Sequence, residues 1–230
     1  MNYGFLYWII DMSVITALEI QKRNKERVNI YLDDEFAFGL NLMDAAKLRK
    51  GQTLTAEEIA ILTDEDAINQ AVNRAIDFLS YRPRSSEEVR RNLVKKDIPE
   101  TIVSIAMERL QNLGYLDDLA FARFWIENRD AFKPRGPRAL RFELRQKGIG
   151  DDILDPLFEE ILDIPDSAYR VAQKQIRQYK GKTRQEFKHK LSGKLQRRGF
   201  DYGIIKDVIQ RLYEELDESD PDYFASDEVE

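Results

Sequence analysis

Val89-Arg90-Arg91-Asn92-Leu93-Val94-Lys95-Lys96-Asp97-Ile98 decides the fold of this 230-residue chain, because its pattern is written three times. Val89, Leu93 and Ile98 return 51 residues on as Leu140, Leu144 and Ile149, and after the same interval as Leu191, Leu195 and Phe200. Lys96-Asp97 becomes Lys147-Gly148 and then Arg198-Gly199. Further along, Ile102, Val103 and Leu110 recur as Ile153, Leu154 and Ile161, then as Ile204, Ile205 and Leu212. Apolar residues four apart mark one face of a helix. Self-similarity at a period of this order marks stacked helical units, each covering its neighbour's apolar face. Such arrays present long surfaces to partners more often than they build one catalytic pocket.

Helices fill the rest of each period. The first unit reads as helices over 67–81, from Ser85 to Asp97, and over 101–113. The second uses 118–132, 137–147 and 151–163, and the third 166–180, 183–198 and 202–216. Ser85-x-x-Glu88 and Thr183-x-x-Glu186 have capping-box spacing, which gives partners to unpaired amides of a first turn. Lys133-Pro134-Arg135-Gly136-Pro137 and Ile164-Pro165-Asp166 read as joins. Gly148 and Gly199 are expected to end helices in left-handed geometry. Ser192-Gly193 falls inside a helix and should weaken it.

The stretch before the repeats has a different period. Ile15–Ile20, Val28–Leu32 and Phe36–Leu40 read as three strands, with polar turns at 22–26 and 33–35. A small antiparallel meander results, followed by short helices over 43–50 and 55–62, the second capped by Thr55-x-x-Glu58. The expected fold class is mainly α: three tandem three-helix repeats in an elongated array behind a small β-rich N-terminal module. The divisions fall at 12–63, 64–116, 117–164 and 165–216. Residues 1–11 read as a start assigned upstream of the true one at Met12, or as a flexible segment. Residues 217–230 read as an acidic, disordered tail.

Composition narrows the function. There is no cysteine, so disulfides and thiolate metal sites are excluded, and the one histidine, His189, cannot anchor a histidine-based metal site alone. The apolar run Tyr3–Ile10 is too short to span a bilayer and has no signal-peptide flanks. No phosphate loop, metal cluster or nucleophile triad is present. The expectation is a cytoplasmic protein with no membrane partner, no catalytic residues, no cofactor and no metal. Asp117-Asp118 and Asp151-Asp152 precede apolar-periodic stretches, where acids cap helices. Tyr115, Phe121, Phe124 and Trp125 could form a stacking platform, but their helical spacing favours core.

Charge carries the functional signal. Net charge is −6, yet residues 212–230 hold nine acids and no base, while residues 170–198 hold eleven Lys or Arg and one acid, Glu186. Arg138, Arg141 and Arg145 form one stripe opposite Leu140 and Leu144, with Lys133 and Arg135 in the preceding loop. In the third unit Lys190, Lys194 and Arg197 form a stripe opposite Phe187, Leu191 and Leu195. Lys188 and Arg198 lie beside that stripe, and Arg170, Lys174 and Arg177 line the preceding helix. With Arg82 and Arg84 of the first unit, these are the candidate binding residues. So one-sided a distribution points to an anionic partner or one that carries nucleic acid.

Arg82-Pro83-Arg84-Ser85-Ser86-Glu87-Glu88-Val89 resembles the opening signature of the RecX regulatory proteins. Leu113-Gly114-Tyr115-Leu116-Asp117-Asp118-Leu119-Ala120-Phe121-Ala122, with Trp125, is similar to that family's most diagnostic segment. Arg129, Gly136, Leu140, Glu143-Leu144 and Lys147-Gly148-Ile149 continue the likeness. The stretches Ile15–Glu19 and Ile30–Phe36 resemble the β-containing extension of its longer members. The resemblance implies a non-enzymatic bacterial protein, expected to be a monomer. It implies binding to the RecA recombinase, mainly as a RecA–DNA filament, and restraint of its ATPase, strand-exchange and coprotease activities, with weak direct DNA binding. Inhibition and stimulation both stay open, as do end capping, groove blocking and disassembly. The alternative is a stand-alone DNA- or RNA-binding protein whose repeats resemble helix-turn-helix units. A scaffold without a nucleic-acid partner is a third reading.

Overall fold

The computed structural model describes residues 12–225, so the reading of residues 1–11 lies outside it. β1 (Met12–Ile20), β2 (Arg27–Leu32) and β3 (Glu35–Asn41) form the expected meander. Val28, Ile30 and Leu32 alternate inward, the period of a strand with one covered face. The β2–β3 turn is two residues long, and Asp33 and Asp34 both take positive φ. That is the backbone a tight hairpin requires, and aspartate tolerates it better than most side chains. The meander gains a strand absent from the sequence reading. β4 (Thr53–Thr55) pairs antiparallel with β1, giving the order β3-β2-β1-β4. Ile15, Val28, Ile30, Leu32, Leu40, Ala45 and Leu54 form its core.

Two helix readings are corrected here. α1 is only Leu42–Ala45, and the helices expected over 55–62 and 67–81 are one 25-residue helix, α2 (Ala56–Ser80). Thr55 and Glu58 cap its start reciprocally, as the spacing predicts. The polar stretch Thr63-Asp64-Glu65 does not break it. Thr63 Oγ1 donates back to the Ile59 carbonyl at 2.9 Å, and Asp66 is buried where Arg27 can reach it. Arg27 donates to Asp66 at 3.1 and 2.8 Å, and the Asn41 amide donates to Asp66 Oδ1 at 3.1 Å. The sheet is thereby fastened to α2 through a carboxylate whose acceptors are filled.

By its contacts the chain divides into two units. The residues up to Arg82 with Val89–Tyr115 form one, and Pro83–Glu88 with Leu116 onward form the other. In the first, α2 packs against α4 (Glu100–Asn112), and Arg109 of α4 donates to Glu65 and Asn69 of α2 at 2.9 and 2.8 Å. α3 (Ser86–Val94) spans the division and carries the buried Val89 and Leu93. Its start has the capping pair Ser85 and Glu88.

The second unit holds two repeats. One is α5 (Asp118–Phe132), α6 (Pro137–Arg145) and α7 (Asp151–Ile161) around Phe121, Ile126, Leu140, Leu144, Ile149 and Leu154. The other is α8 (Ile164–Gln173), the single turn α9 (Ile176–Tyr179), α10 (Arg184–Arg197) and α11 (Tyr202–Ser219). Its core includes Phe187, Leu191, Leu195, Ile205 and Leu212. Leu93, Leu144 and Leu195, equivalent by sequence, are all fully buried. The helix expected over 166–180 is thus two pieces, and Ile164-Pro165 opens α8 rather than joining two repeats. Proline fits a first turn because its missing N–H has no partner to lose. α10 runs unbroken through Ser192-Gly193.

The tail departs furthest from expectation. α11 continues to Ser219, and beyond it Tyr223 is buried in the core of the third repeat. Tyr223 Oη donates to the Ile176 carbonyl at 2.6 Å, and its ring meets Phe187 edge-on. The Tyr223 carbonyl accepts from the Gly181 amide, and the Ala225 amide donates to the Lys182 carbonyl. Residues 217–225 are therefore docked. Their acids hide the aromatic pair Tyr223-Phe224, which supplies the apolar surface a disordered tail lacks.

Candidate anion-binding face

Five arginines of the second unit converge where α6 meets the end of α10. The joint is made by backbone. The Gly136 amide donates to the Arg198 carbonyl at 2.9 Å, and Arg198 Nη1 donates to the Pro134 carbonyl at 3.0 Å. Gly199, at φ +87°, ends α10 against the first turn of α6. Asp97, Gly148 and Gly199 are equivalent by sequence, and all three have positive φ. The second helices of all three repeats therefore stop in the same left-handed geometry.

Around this joint Arg135, Arg138, Arg141, Arg145 and Arg197, with Phe142 and Gln196, line an open cleft of about 700 Å³. Gln196 and Arg197 also line the neighbouring hollow with His189, Lys190, Ser192 and Gly193. The two stripes read from the sequence thus meet through Arg197 in one basic face, with Lys194 lining neither hollow. Phe142 is 65% exposed within it. A large apolar ring left in water among cations offers a stacking surface.

Its arginines are not equally available. Arg135 pairs with Glu143 at 3.0 Å, and Arg141 with Asp151 and Asp155 at 2.9 and 2.6 Å. Arg145 Nε donates to Asp151 at 3.1 Å, and its Nη2 makes a second, shorter bond to the same carboxylate. Hydrogen bonds from Arg145 and then Arg141 lower the Asp151 pKa from 3.8 to about 2. Arg170 is held by Asp130 and Asp166, and Arg198 by the joint. Arg82 and Arg84, in the link before α3, are engaged within the chain. Among the described residues Lys133, Arg138, Lys174, Arg177, Lys188, Lys190, Lys194 and Arg197 have no carboxylate partner. Only Arg138, Lys190 and Arg197 of these line the two hollows.

The acids and aromatics singled out in the sequence also find their places. Asp117 caps α5 as expected, and Asp118 accepts from the Ser86 amide at 2.8 Å. Asp151 and Asp152 do not cap α7. Gly150 is the cap, and Asp151 faces the arginines of α6. Trp125 is no platform: it donates to Glu143 at 2.9 Å, with Lys147 4.4 Å and Arg129 4.7 Å from the ring centre. Phe121 is buried, while Tyr115 and Phe124 stay about half exposed. The sequence reading missed Phe142 and Asp151 as parts of the face. Phe142 was legible in principle, since an aromatic between Arg141 and Glu143 stands off the apolar stripe. No cluster of His, Asp and Glu among the described residues could hold a metal ion, and no described helix is long and apolar enough to cross a membrane.

Comparison with known proteins accounts for nearly the whole chain. The family model for the N-terminal domain of regulatory protein RecX matches residues 13–55. Those for the first, second and third three-helix domains of RecX match 64–110, 117–155 and 163–209. The chain is 34% identical over 211 residues to the regulatory protein RecX of Bacillus pumilus, covering 90% of this chain and 80% of that one. It is 36% identical over 213 residues to that of Lactobacillus gasseri, covering 91% and 78%. A crystal structure of regulatory protein RecX superposes with a TM-score of 0.70 at 30% identity, covering 85% of this chain and 99% of that one. The RecX of Lactobacillus salivarius gives a TM-score of 0.60 at 27% identity, covering 65% and 98%. Four matched domains in this order, over a helical fold with a small strand module in front, place the chain in the RecX family of regulatory proteins.

Proposed function

We propose that this protein binds the RecA recombinase as a filament on DNA and restrains its ATPase, strand-exchange and coprotease activities, without catalysis of its own. Family membership supports the regulatory role. The observation that carries the mode of binding is the basic face of α6 and α10. There Arg138, Lys190 and Arg197 project from helices whose opposite sides are buried. Such a face can meet phosphates or an acidic protein surface without emptying a core. Lys194 extends the same stripe. The paired Arg141, Arg145 and Arg170 act first as internal ties.

The test is a titration of the chain into RecA filaments on single-stranded DNA, read as DNA-dependent ATP hydrolysis. Suppression is expected at concentrations that leave bare DNA uncoated. A folded Arg138→Gln/Arg197→Gln variant should need several-fold more protein for the same suppression. If hydrolysis falls only once the DNA itself is coated, the chain is a stand-alone nucleic-acid-binding protein.

A further inference from the structure

One carboxylate beside the cleft ties up two of its five arginines. Asp151 accepts from Arg141 at 2.9 Å and takes two bonds from Arg145, while Asp155 adds a second hold on Arg141. Asp151 sits in the first turn of α7, where the free amides of the helix start suit its charge. Its side chain is 37% exposed. It therefore needs no arginine to be tolerated there, and exposed pairs of this kind add little to stability.

The repeats supply an internal comparison. Moving 51 residues back from Arg141 and Asp151 leads to Arg90 and Glu100, which also form an ion pair. Moving 51 residues on leads to Ser192 and Tyr202, which cannot. The same interhelical pair thus exists in the first two repeats and is lost in the third, beside the open stripe of α10. α10 and α11 pack together without it. The third repeat packs without the pair, so an ion pair at this position is not a requirement of the fold.

We propose that Asp151 is a built-in competitor for phosphate, a specificity-determining residue that withholds Arg141 and Arg145 and keeps affinity for bare single-stranded DNA low. This rests on the reading of the α6–α10 cleft as an anion-binding face. A phosphodiester strand entering the cleft meets Arg138 and Arg197 with their donors open. Arg141 and Arg145 already have a carboxylate in the geometry phosphate would use. Weak affinity for bare DNA keeps the protein from being spread along it, so that contacts offered only by a nucleoprotein filament decide where it binds.

The experiment measures binding of the full-length protein to a fluorescent 20-nucleotide oligothymidylate by anisotropy, across a salt series and without recombinase. Asp151→Asn should tighten binding roughly tenfold at low salt and steepen the dependence of log K on log salt by up to ~1.4, two contacts at ~0.7 each. Asp155→Asn should gain less, because Asp151 still holds Arg141. In the wild-type background Arg141→Gln/Arg145→Gln should be nearly neutral, and in the Asp151→Asn background the same pair should erase the gain. An unchanged or weaker Asp151→Asn protein with native circular dichroism overturns the proposal. So does a gain that survives loss of both arginines, since that is only a change in net charge. Should Asp151→Asn fail to fold, Asp151→Ser, a residue suited to a helix start, decides by the same criteria. Because recombinase is absent, the outcome is independent of whether the chain regulates a filament.

Discussion

Gly136 and Gly199 meet backbone to backbone: a Cβ on Gly136 would stand 2.3 Å from the Gly199 carbonyl oxygen. A Cβ on Gly199 would in turn stand 2.4 Å from the Ala139 nitrogen, at a φ that disfavours any side chain. No rotamer change can relieve either clash, because the opposing atoms are main chain. Gly136→Ala and Gly199→Ala should each destabilise the protein by about 1–3 kcal/mol, the range for overpacking. Urea unfolding checks this. Both variants should also weaken filament binding, since the joint sets the spacing of Arg138 and Arg197. A neutral Gly136→Ala would mean that the two helix ends are not in contact.

The paired state of Asp151 has a pH signature. Its folded pKa, about 2, lies below the ordinary value of 3.8. The pair therefore contributes the small stability of an exposed ion pair, present above pH 3.8 and lost as pH falls toward 2. Asp151→Asn should flatten the acid limb of the stability profile in that window, relative to wild type. Parallel profiles would show that the carboxylate is not held by the arginines in solution.

Docking of the tail can be tested without touching the basic face. Burial first, and Asp220 second, push the Tyr223 hydroxyl up to about 12. Stability linked to this group is fully present below its ordinary value near 10 and is lost as pH rises through 12. Tyr223→Phe should remove that alkaline dependence, and losing the bond to Ile176 should cost about 0.5–1.5 kcal/mol at neutral pH. Truncation after Leu216 should cost more, because it also removes the ion pair Arg184–Asp217 at 2.5 Å and the Phe224 ring that packs on Phe187. A truncated protein that melts at the wild-type temperature would return the tail to disorder.

Gly193 lies within α10 at no special backbone angle. The nearest atom to an added Cβ is Arg197 Nη1 at 3.3 Å, the far end of a side chain that can move. Gly193→Ala should therefore stabilise the protein by about 0.5–1 kcal/mol, read from thermal unfolding. A loss of stability would mean that the backbone of α10 must bend there.

What could be read in advance was whatever depends on spacing along one chain. Leu144 and Leu195 fall inward because a helix repeats its faces, and the boxes at Thr55, Ser85 and Thr183 form because their partners are three residues away. β4 escaped because Thr53–Thr55 is too short to show a period and becomes a strand only against Met12–Val14. Likewise α2 looked broken at Thr63-Asp64 because the partner that lets Asp66 be buried, Arg27, is 39 residues distant. The basic face was legible as two stripes. Which of its arginines are already matched was not, since Glu143, Asp151 and Asp155 look like ordinary surface acids until α6 and α7 are packed.

The unbroken run of α2 gives the strand module a mechanical role. Twenty-five helical residues measure roughly 37 Å, and they start at β4 and end beside the first repeat's own helices. Arg27 clamps the sheet to this rod at Asp66, the eleventh of its 25 residues. The sheet is consequently a handle on a rigid lever rather than a bead on a tether. A load applied to its edge, by a partner or by a pulling experiment, is delivered to α4 as torque, with no hinge between to absorb it.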